Sequence, residues 1–353
     1  MAKNVRGRIS DAEAQIEQEV EADRPRLIKL GGGLLLFVLG AGAAAIALLA
    51  IKPQFTGPDL YVGGPTGDGG GGSGDYVVPT LAQLPKGDEG AAIQRAIDLF
   101  NNTNVKAADF VGNGLACKNC HIDSGRKAGA APMWAAWVKF PVYDSGDKVT
   151  TMRDRIKGCF TNSMNAQNSP SGAPPPLDHP LYGDLELYFA WLAKGATAGA
   201  TMAGQGFPKI DPPALAFDPV RGKAVYAQTC AACHGNGGNG ASQPNGTVVY
   251  PAIFGAHSYN WDAGMADVAL AAAFIKANMP FNAPGTLTTQ QAWDVSAYVN
   301  SQERPKSPLQ KAQTIAQNGK ANFTGFPTYY GQTIDGRELG AGSPGAGPLP
   351  RSK

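Results

Sequence analysis

Two copies of one short cysteine motif constrain this 353-residue chain more than any other feature. Residues 117–121 are CKNCH and residues 230–234 are CAACH, so each copy has two cysteines followed at once by a histidine. The two thiols of such a motif add to the vinyl groups of one haem, and the histidine becomes an axial ligand of its iron. The sequence therefore predicts two covalently bound haem c groups. The predicted attachment residues are Cys117, Cys120, His121, Cys230, Cys233 and His234.

Other uses of paired cysteines fit this pattern less well. A thioredoxin-like redox pair or half of a zinc site also contains Cys-x-x-Cys, but neither requires a histidine at the same offset in two copies. The formal net charge of +2 indicates no special electrostatic partner, and no nucleic-acid binding is expected. With 46 glycines and 27 prolines, much of the chain is predicted to be loop or linker.

Hydrophobic spacing predicts an all-α fold of two tandem cytochrome c-like domains, over residues 77–203 and 204–305. In the first domain, helices are expected over 91–102, 151–164 and 184–194. Residues 306–353 are expected to form a partly disordered C-terminal extension.

The second domain has clearer helix signals. Asp218 and Pro219 form a cap and first-turn pair, after which Val220, Ala224 and Ala227 lie on one helical face. An apolar helix is expected over 265–278. A capping box formed by Thr288 and Gln291 predicts the start of the last helix.

Residues 30–51 form an uncharged run that is long enough to cross a bilayer as one helix. Basic residues are concentrated before it, at 24, 26 and 29, which predicts a cytoplasmic segment at 1–29. A glycine-rich tether at 52–76 would then lead to haem domains on the periplasmic side of the inner membrane, with the membrane lipid contacted through 30–51. A cleaved signal peptide is the alternative, although the preceding segment is long and acidic for one.

Each haem also needs a residue opposite its histidine, or an open site. In the second domain Met279 follows an apolar helix and precedes Pro280, which stiffens the turn, so it is the expected ligand. Met265 is the rival, and core packing is the ordinary role of either methionine.

The first domain leaves two ligands open. Met164 follows His121 at a spacing similar to that of Met279 after His234. Helical phase instead favours Cys159, which shares one face with Met152 and Ile156, whereas Met164 is rotated by about 140° from it. A lone cysteine is also often a small buried hydrophobe.

Several stretches of residues 80–305 resemble the dihaem thiosulfate dehydrogenases, and the Arg-Ile-x-x-Cys-Phe element at 155–160 is the most specific of them. The resemblance implies that Cys159 ligates the first haem and Met279 the second. The stretches that carry it are Cys117–Gly125, Ala131–Met133, Pro141–Tyr143, Asp154–Phe160, Ser163–Asn165, Tyr188–Leu192, Phe254–Gly255, Ser258–Asn260, Ala263–Met265, Asn278–Pro280 and Ala292–Val295.

The resemblance also implies an activity, the coupling of two thiosulfate ions into tetrathionate with release of two electrons. Bringing two dianions to about 4 Å costs on the order of 4 kcal/mol in water, so cations are needed. Arg126 and Arg155 are the best candidates, because a planar guanidinium matches a sulfonate-like group. Cys159 would be both ligand and nucleophile. The second haem would pass electrons to a soluble periplasmic cytochrome or a terminal oxidase.

Two other functions remain open at this stage. The anchor and tether also suit a non-catalytic dihaem carrier that links membrane respiratory complexes to periplasmic partners. A cytochrome subunit docked to a separate dehydrogenase is the third hypothesis, with the segment after Lys306 as its contact. His179 and His257 are expected to be ordinary loop residues in each case.

Overall fold

Helices form most of the regular secondary structure in the described residues, as the hydrophobic spacing predicts. The computed structural model describes residues 76–144, 148–243, 248–306 and 328–343. The predicted membrane segment at 30–51 and the segment at 1–29 lie outside the described residues, as does all but the last residue of the tether. Within the described residues, no helix is long and apolar enough to cross a membrane.

The α-helices are α1 (Asp88–Asn101), α2 (Thr103–Lys106), α3 (Ile122–Gly125), α4 (Met133–Lys139), α5 (Met152–Gly158), α6 (Pro180–Leu192), α7 (Pro219–Thr229), α8 (Ala231–His234), α9 (Val268–Asn278) and α10 (Thr289–Asn300). In the part of the chain that the structure describes, the strands form three short antiparallel pairs that hydrophobic spacing did not predict: β1 (Val142–Asp144) with β2 (Lys148–Thr150), β3 (Ala241–Ser242) with β4 (Val248–Tyr250), and β5 (Thr333–Ile334) with β6 (Arg337–Glu338).

In the first half, residues 76–203, α1 packs against α6. The predicted apolar face of α1 is confirmed, because Ile93, Ile97 and Phe100 are all buried. The Phe100 ring meets Tyr188 and Phe189 of α6 edge-on, at centroid distances of 6.0 and 5.9 Å. This aromatic contact holds the two helices together, and the Phe100 ring also lies 6.3 Å from the His121 ring of the first cysteine motif.

In the second half, residues 204–306, α7 packs against α10 through a glycine. A Cβ on Gly222 would lie 1.9 Å from the Asp294 carbonyl oxygen, so no larger residue fits this crossing. Val220, Ala224 and Ala227, which were predicted to form one face of this helix, do not form its packed face: all three are exposed, and Gly222 and Tyr226 make the buried contact instead. A small residue that permits close approach of two backbones carries no apolar signal in the sequence.

The predicted helix caps are confirmed. Asp218 Oδ1 accepts a hydrogen bond from Val220 N at 2.7 Å. Thr288 and Gln291 form the expected reciprocal box, with bonds of 2.8 and 3.2 Å. The apolar helix begins three residues later than predicted, because Asp267 caps α9 by accepting bonds from Ala269 N and Leu270 N.

Part of the C-terminal extension belongs to the second half. Tyr329, Tyr330 and Leu339 are buried, and they pack with Trp261 and Trp293 in one cluster. The described segment 328–343, which contains the β5–β6 hairpin, therefore covers two tryptophans of the second half. The domain boundaries at 77, 204 and 305 otherwise stay predictions.

Three buried asparagines join the two halves. Asn260 donates from its backbone N to Asn162 O and from Nδ2 to Thr161 O, both at 3.1 Å. Asn113 Nδ2 contacts Ser163 O at 2.9 Å and Ser258 O at 3.0 Å. Asn278 Nδ2 reaches Gly129 O at 3.2 Å. The second half thus binds the carbonyl groups of Thr161 and Asn162, two and three residues after Cys159.

We expect Asn260→Ala to lower the Tm of the haem-loaded protein by roughly 3–10 °C, because it leaves the partly buried Thr161 carbonyl without its donor. Thermal unfolding followed by circular dichroism measures this. Asn282→Ala, at an exposed position of the same half, is the control and should leave Tm within about 2 °C. Equal Tm values for the two variants would show that the bond across the halves contributes little.

Candidate haem centres

The first cysteine motif folds as one tight turn. Residues Cys117–Asn119 form a 3₁₀ turn, and His121 N donates to Cys117 O at 3.0 Å. Thr103 Oγ1 accepts a bond from Cys117 N at 3.2 Å and lies 3.3 Å from Cys117 Sγ. These bonds hold both cysteines and the histidine on one short segment beside α1.

A backbone carbonyl orients the first histidine. His121 Nδ1 lies 2.7 Å from Ala131 O. Ala131 adopts φ 48°, a left-handed conformation that is uncommon for a residue with a side chain, and its N donates to Gly206 O at 2.8 Å. Such conformations persist where the surrounding structure holds them, and they cluster at functional sites. Here the strained backbone directs its carbonyl at the histidine.

The second motif repeats this arrangement. His234 N donates to Cys230 O at 2.9 Å, and His234 Nδ1 lies 2.8 Å from Pro251 O. A carbonyl acceptor requires a proton on Nδ1, so Nε2 of each histidine is left free to bind a metal. Neither carbonyl partner is visible in the sequence, because Ala131 and Pro251 contribute only main-chain atoms.

Burial keeps both imidazoles neutral. It lowers the pKa of His121 to about 4, with the Ala131 carbonyl opposing the shift and the positive charge of Arg155 adding to it. Burial also lowers the pKa of His234. A neutral imidazole with Nδ1–H bound and Nε2 free is the form that ligates iron.

The donor set fits a haem c at each motif. Burial raises the pKa of the Cys117 and Cys120 thiols to about 12 and also raises that of Cys230, so these thiols are protonated and not poised as redox nucleophiles. The described residues contain no group of three or more His, Cys, Asp or Glu side chains that could hold a metal ion. Thioether attachment uses just such paired thiols beside a histidine.

The segment that carries Cys159 changes its helical form at that residue. The α-helix α5 ends at Gly158, and Cys159–Ser163 is a π-helical turn closed by a bond from Met164 N to Cys159 O at 3.0 Å. The helix predicted over 151–164 is confirmed in extent, because the chain is helical from Met152 to Ser163, but its last five residues are π-helical. Turns of this kind are rare and frequent at functional sites.

Cys159 lies beside the first motif. After burial, its thiol is a further cause of the raised pKa of Cys117 and Cys120. Met152 and Ile156 are buried, in line with the predicted face, and Cys159 is partly buried. Met164 is buried too and packs in the core of the first half. The choice of Cys159 over Met164 as iron ligand stays a prediction.

Both methionine candidates for the second haem occupy one cluster. Met279 and Met265 are partly buried against Ile122, Ala130 and Phe274. Met279 follows α9 directly as its C-cap, in extended conformation. Lys276 Nζ donates to Leu287 O at 2.6 Å and to Gly285 O at 3.0 Å, which holds the loop that Met279 begins. The assignment of Met279 over Met265 stays a prediction.

The two candidate anion-binding arginines differ in their surroundings. Arg126 Nη2 pairs with Asp123 Oδ2 at 2.7 Å and its Nη1 contacts Pro79 O at 3.3 Å, while its Nε is buried without a hydrogen-bond partner. Arg155 is exposed, and its Nη1 lies 3.8 Å from the position of a Cβ on Gly158. Arg155 is therefore the arginine that stands next to both Cys159 and His121.

Two further polar residues, Arg153 and His179, have structural partners. Arg153 bonds to Glu186 and to Leu177 O, so it belongs to a paired helix surface. His179 caps α6 by accepting from Leu181 N at 3.2 Å. Residues Asn113, Asn260 and Asn278 were not singled out as functional, since an asparagine gives no sign in sequence of a partner in the other half.

Comparison with known proteins finds a family model and several proteins that are similar to this chain. A family model described as cytochrome c matches residues 219–303, around the second motif. The chain is 39% identical over 275 residues to a thiosulfate dehydrogenase of Stutzerimonas stutzeri (strain A1501), with 77% of this chain and 87% of that protein covered. It is 38% identical over 310 residues to a thiosulfate dehydrogenase of Thiomonas intermedia (strain K12), covering 87% and 95%.

A solved structure is similar over both halves. The chain superposes on a thiosulfate dehydrogenase (TsdBA) from Marichromatium purpuratum, in its as-isolated form, with a TM-score of 0.71 and 44% sequence identity. The match covers 76% of this chain and 57% of the length of that chain.

Proposed function

The chain belongs to the thiosulfate dehydrogenase family of oxidoreductases, and from that premise we propose that it oxidises thiosulfate to tetrathionate at its first haem centre. The observation that carries the proposal is the placement of Cys159 and Arg155 beside the first motif, where each alters the pKa of a residue of that motif. A sulfur nucleophile and a cation that can hold an anionic substrate thus lie together. Haem c, when bound, supplies one-electron redox chemistry at each motif.

The proposed reaction uses Cys159 as a sulfur nucleophile. Its thiolate joins the terminal sulfur of one thiosulfate, forming a sulfur–sulfur bond and releasing two electrons. A second thiosulfate then attacks that sulfur, which forms tetrathionate and returns the Cys159 thiolate. Charge and atoms balance, because two dianions give one dianion and two electrons. Arg155 offsets the repulsion between the dianions, which is about 4 kcal/mol at 4 Å even in water.

The family assignment favours an enzyme over a passive carrier. We further propose that electrons leave through the second centre, at His234 and Met279, to a soluble periplasmic cytochrome or a terminal oxidase. The inner-membrane anchor at 30–51 and the periplasmic location are part of the same proposal. Release of the full-length protein from membranes by a carbonate wash, without detergent, would contradict the anchor.

One experiment tests the activity. The full-length, haem-loaded protein is mixed with thiosulfate, and reduction of its haem is followed by visible absorbance while tetrathionate is assayed in the products. The proposal predicts reduction with one tetrathionate per two electrons. Reduction by dithionite but not by thiosulfate would overturn it.

We expect Arg155→Gln to raise the KM for thiosulfate roughly 10- to 100-fold, because a charge-assisted hydrogen bond to the substrate is lost. Steady-state kinetics against thiosulfate concentration measures this. Arg153→Gln is the matched control: the same charge is removed from the same helix, but the Arg153 guanidinium already pairs with Glu186. A similar rise in KM in both variants would show that KM depends on the total positive charge of the helix and not on a direct contact between Arg155 and thiosulfate.

A further inference from the structure

Asn113 is a buried asparagine that lies four residues before Cys117, the first cysteine of the first motif. Its side-chain oxygen Oδ1 accepts a hydrogen bond from Leu115 N at 3.0 Å. An asparagine that bonds to the backbone two residues further on closes a local turn of the chain. The acceptor side of this carboxamide therefore fixes the turn that leads into the first motif.

The donor side of the same carboxamide binds the segment that carries Cys159. Asn113 Nδ2 donates to Ser163 O at 2.9 Å, and Ser163 is the last residue of the π-helical turn that begins at Cys159. The same nitrogen donates to Ser258 O of the second half at 3.0 Å. Both hydrogens of the amide are thus used. One side chain joins the approach to the first motif, the turn after Cys159 and a loop of the second half.

The backbone next to Asn113 strengthens this connection. Gly112 N donates to Met164 O at 2.8 Å, and Met164 N donates to Cys159 O at 3.0 Å, which closes the π-helical turn. A Cβ on Gly112 would lie 2.1 Å from Asn165 O, so a glycine is required for the two chain segments to approach this closely. The segment 112–113 is therefore hydrogen-bonded to the last residue of the turn and to the residue after it.

The two segments that Asn113 joins carry the sulfur atoms of the first centre. Burial is the main cause of the raised pKa of Cys117 and Cys120, and the nearby Cys159 thiol adds to it, so the three thiols lie close together. Cys117 follows Asn113 by four residues, and Cys159 precedes Ser163 by four residues. Each thiol is thus a short distance along the chain from the side chain that connects the two segments.

A metal ligand and a nucleophile both need a position that is fixed to within about 0.5 Å. We propose that Asn113 is a positioning residue of the first haem centre, which sets the separation between the first motif and Cys159. It acts through the two segments and takes no part in the sulfur chemistry itself. Because Cys159 is ligand and nucleophile only under the proposed function, this role rests on that proposal.

The variant Asn113→Ser separates the two sides of the carboxamide. A serine hydroxyl still accepts a bond from Leu115 N, but its side chain is too short to reach Ser163 O. With haem attached at both motifs, Cys159 is the one free thiol among the five cysteines of the chain. We expect iodoacetamide to alkylate Cys159 of the full-length, haem-loaded variant roughly 10-fold faster than in the wild type. Mass spectrometry of the intact chain over time measures the rate.

Asn300→Ser is the matched control. Asn300 is buried like Asn113, but the contact of its Nδ2, with Ser296 Oγ at 3.5 Å, stays within α10. We expect this variant to keep the wild-type alkylation rate of Cys159, even where its Tm falls. Equal acceleration in both variants would show a general loosening of the fold and would overturn the proposal. An unchanged rate in Asn113→Ser would overturn it as well.

Low-temperature electron paramagnetic resonance supplies a spectroscopic readout. The signal of a thiolate-ligated haem should weaken in Asn113→Ser and keep its full intensity in Asn300→Ser. Absence of this signal from the wild type would remove Cys159 as ligand, and with it the proposed function, while the alkylation rates would still decide the role of Asn113.

A crystal structure of the haem-loaded wild type does not depend on a variant that folds. Asn113 Nδ2 within hydrogen-bond distance of Ser163 O would support the proposed role. Loss of that hydrogen bond in the haem-loaded protein would overturn it.

Discussion

Replacing Cys159 with alanine is expected to reduce thiosulfate-dependent haem reduction by at least about 10³-fold, because the variant loses the proposed nucleophile and the proposed ligand together. Stopped-flow mixing of the haem-loaded protein with thiosulfate measures the rate. Reduction by dithionite should be retained, since both attachment motifs are intact. Low-temperature electron paramagnetic resonance of the oxidised variant should lack the signals of a thiolate-ligated haem.

Met164→Leu is the control for the rival ligand. Met164 lies in the core of the first half, so a leucine of similar volume should cost less than about 1.5 kcal/mol of stability. We expect its rate of reduction by thiosulfate and its spectrum to match those of the wild type. Normal activity in Cys159→Ala together with a changed first haem in Met164→Leu would assign the ligand to Met164 and remove the chemical basis of the proposed function.

Met279→His is expected to lower the reduction potential of the second haem, because a methionine ligand raises the potential relative to histidine. Each 59 mV changes a one-electron equilibrium tenfold, so a fall of roughly 120 mV would disfavour electron transfer into this centre by about 100-fold. Turnover with an external acceptor should fall accordingly, and the reaction of thiosulfate at the first centre should be kept. Redox titration and single-turnover kinetics measure the two effects separately.

Met265→Leu is the matched control, since Met265 packs in the same cluster as Met279. Its potential and turnover should remain those of the wild type. If Met265→Leu lowers the potential and Met279→His does not, the second haem is ligated from the 3₁₀ turn before α9 instead of the loop after it.

Local chemistry explains what the sequence could predict. The Asp218 cap and the Thr288–Gln291 box depend on residues within a few positions of one another, and both appear as expected. The face of α1 was also predictable, because a helix that buries one stripe must repeat its apolar residues every three or four positions.

The features that the sequence did not predict depend on contacts between residues that are far apart in the chain. The carbonyl partners of the two histidines come from Ala131 and Pro251, and any residue type supplies a carbonyl. The π-helical turn after Gly158 could not be predicted from the local sequence either, because its carbonyl groups accept hydrogen bonds from Asn113 and Asn260, which are distant in the chain. The buried face of α7 is the one that contains Gly222 and not the predicted apolar face, because Gly222 allows the backbones of α7 and α10 to approach closely.

The hairpin segment at 328–343 limits how far the second half can be treated as a portable module. The cytochrome c match ends at residue 303, yet Tyr330 and Leu339 cover Trp261 and Trp293 from beyond that point. A fragment cut at the end of the match would present two indole rings to water and would be prone to self-association. Transfer of this haem-binding half into another protein, by evolution or by design, therefore requires that segment 328–343 be transferred with it.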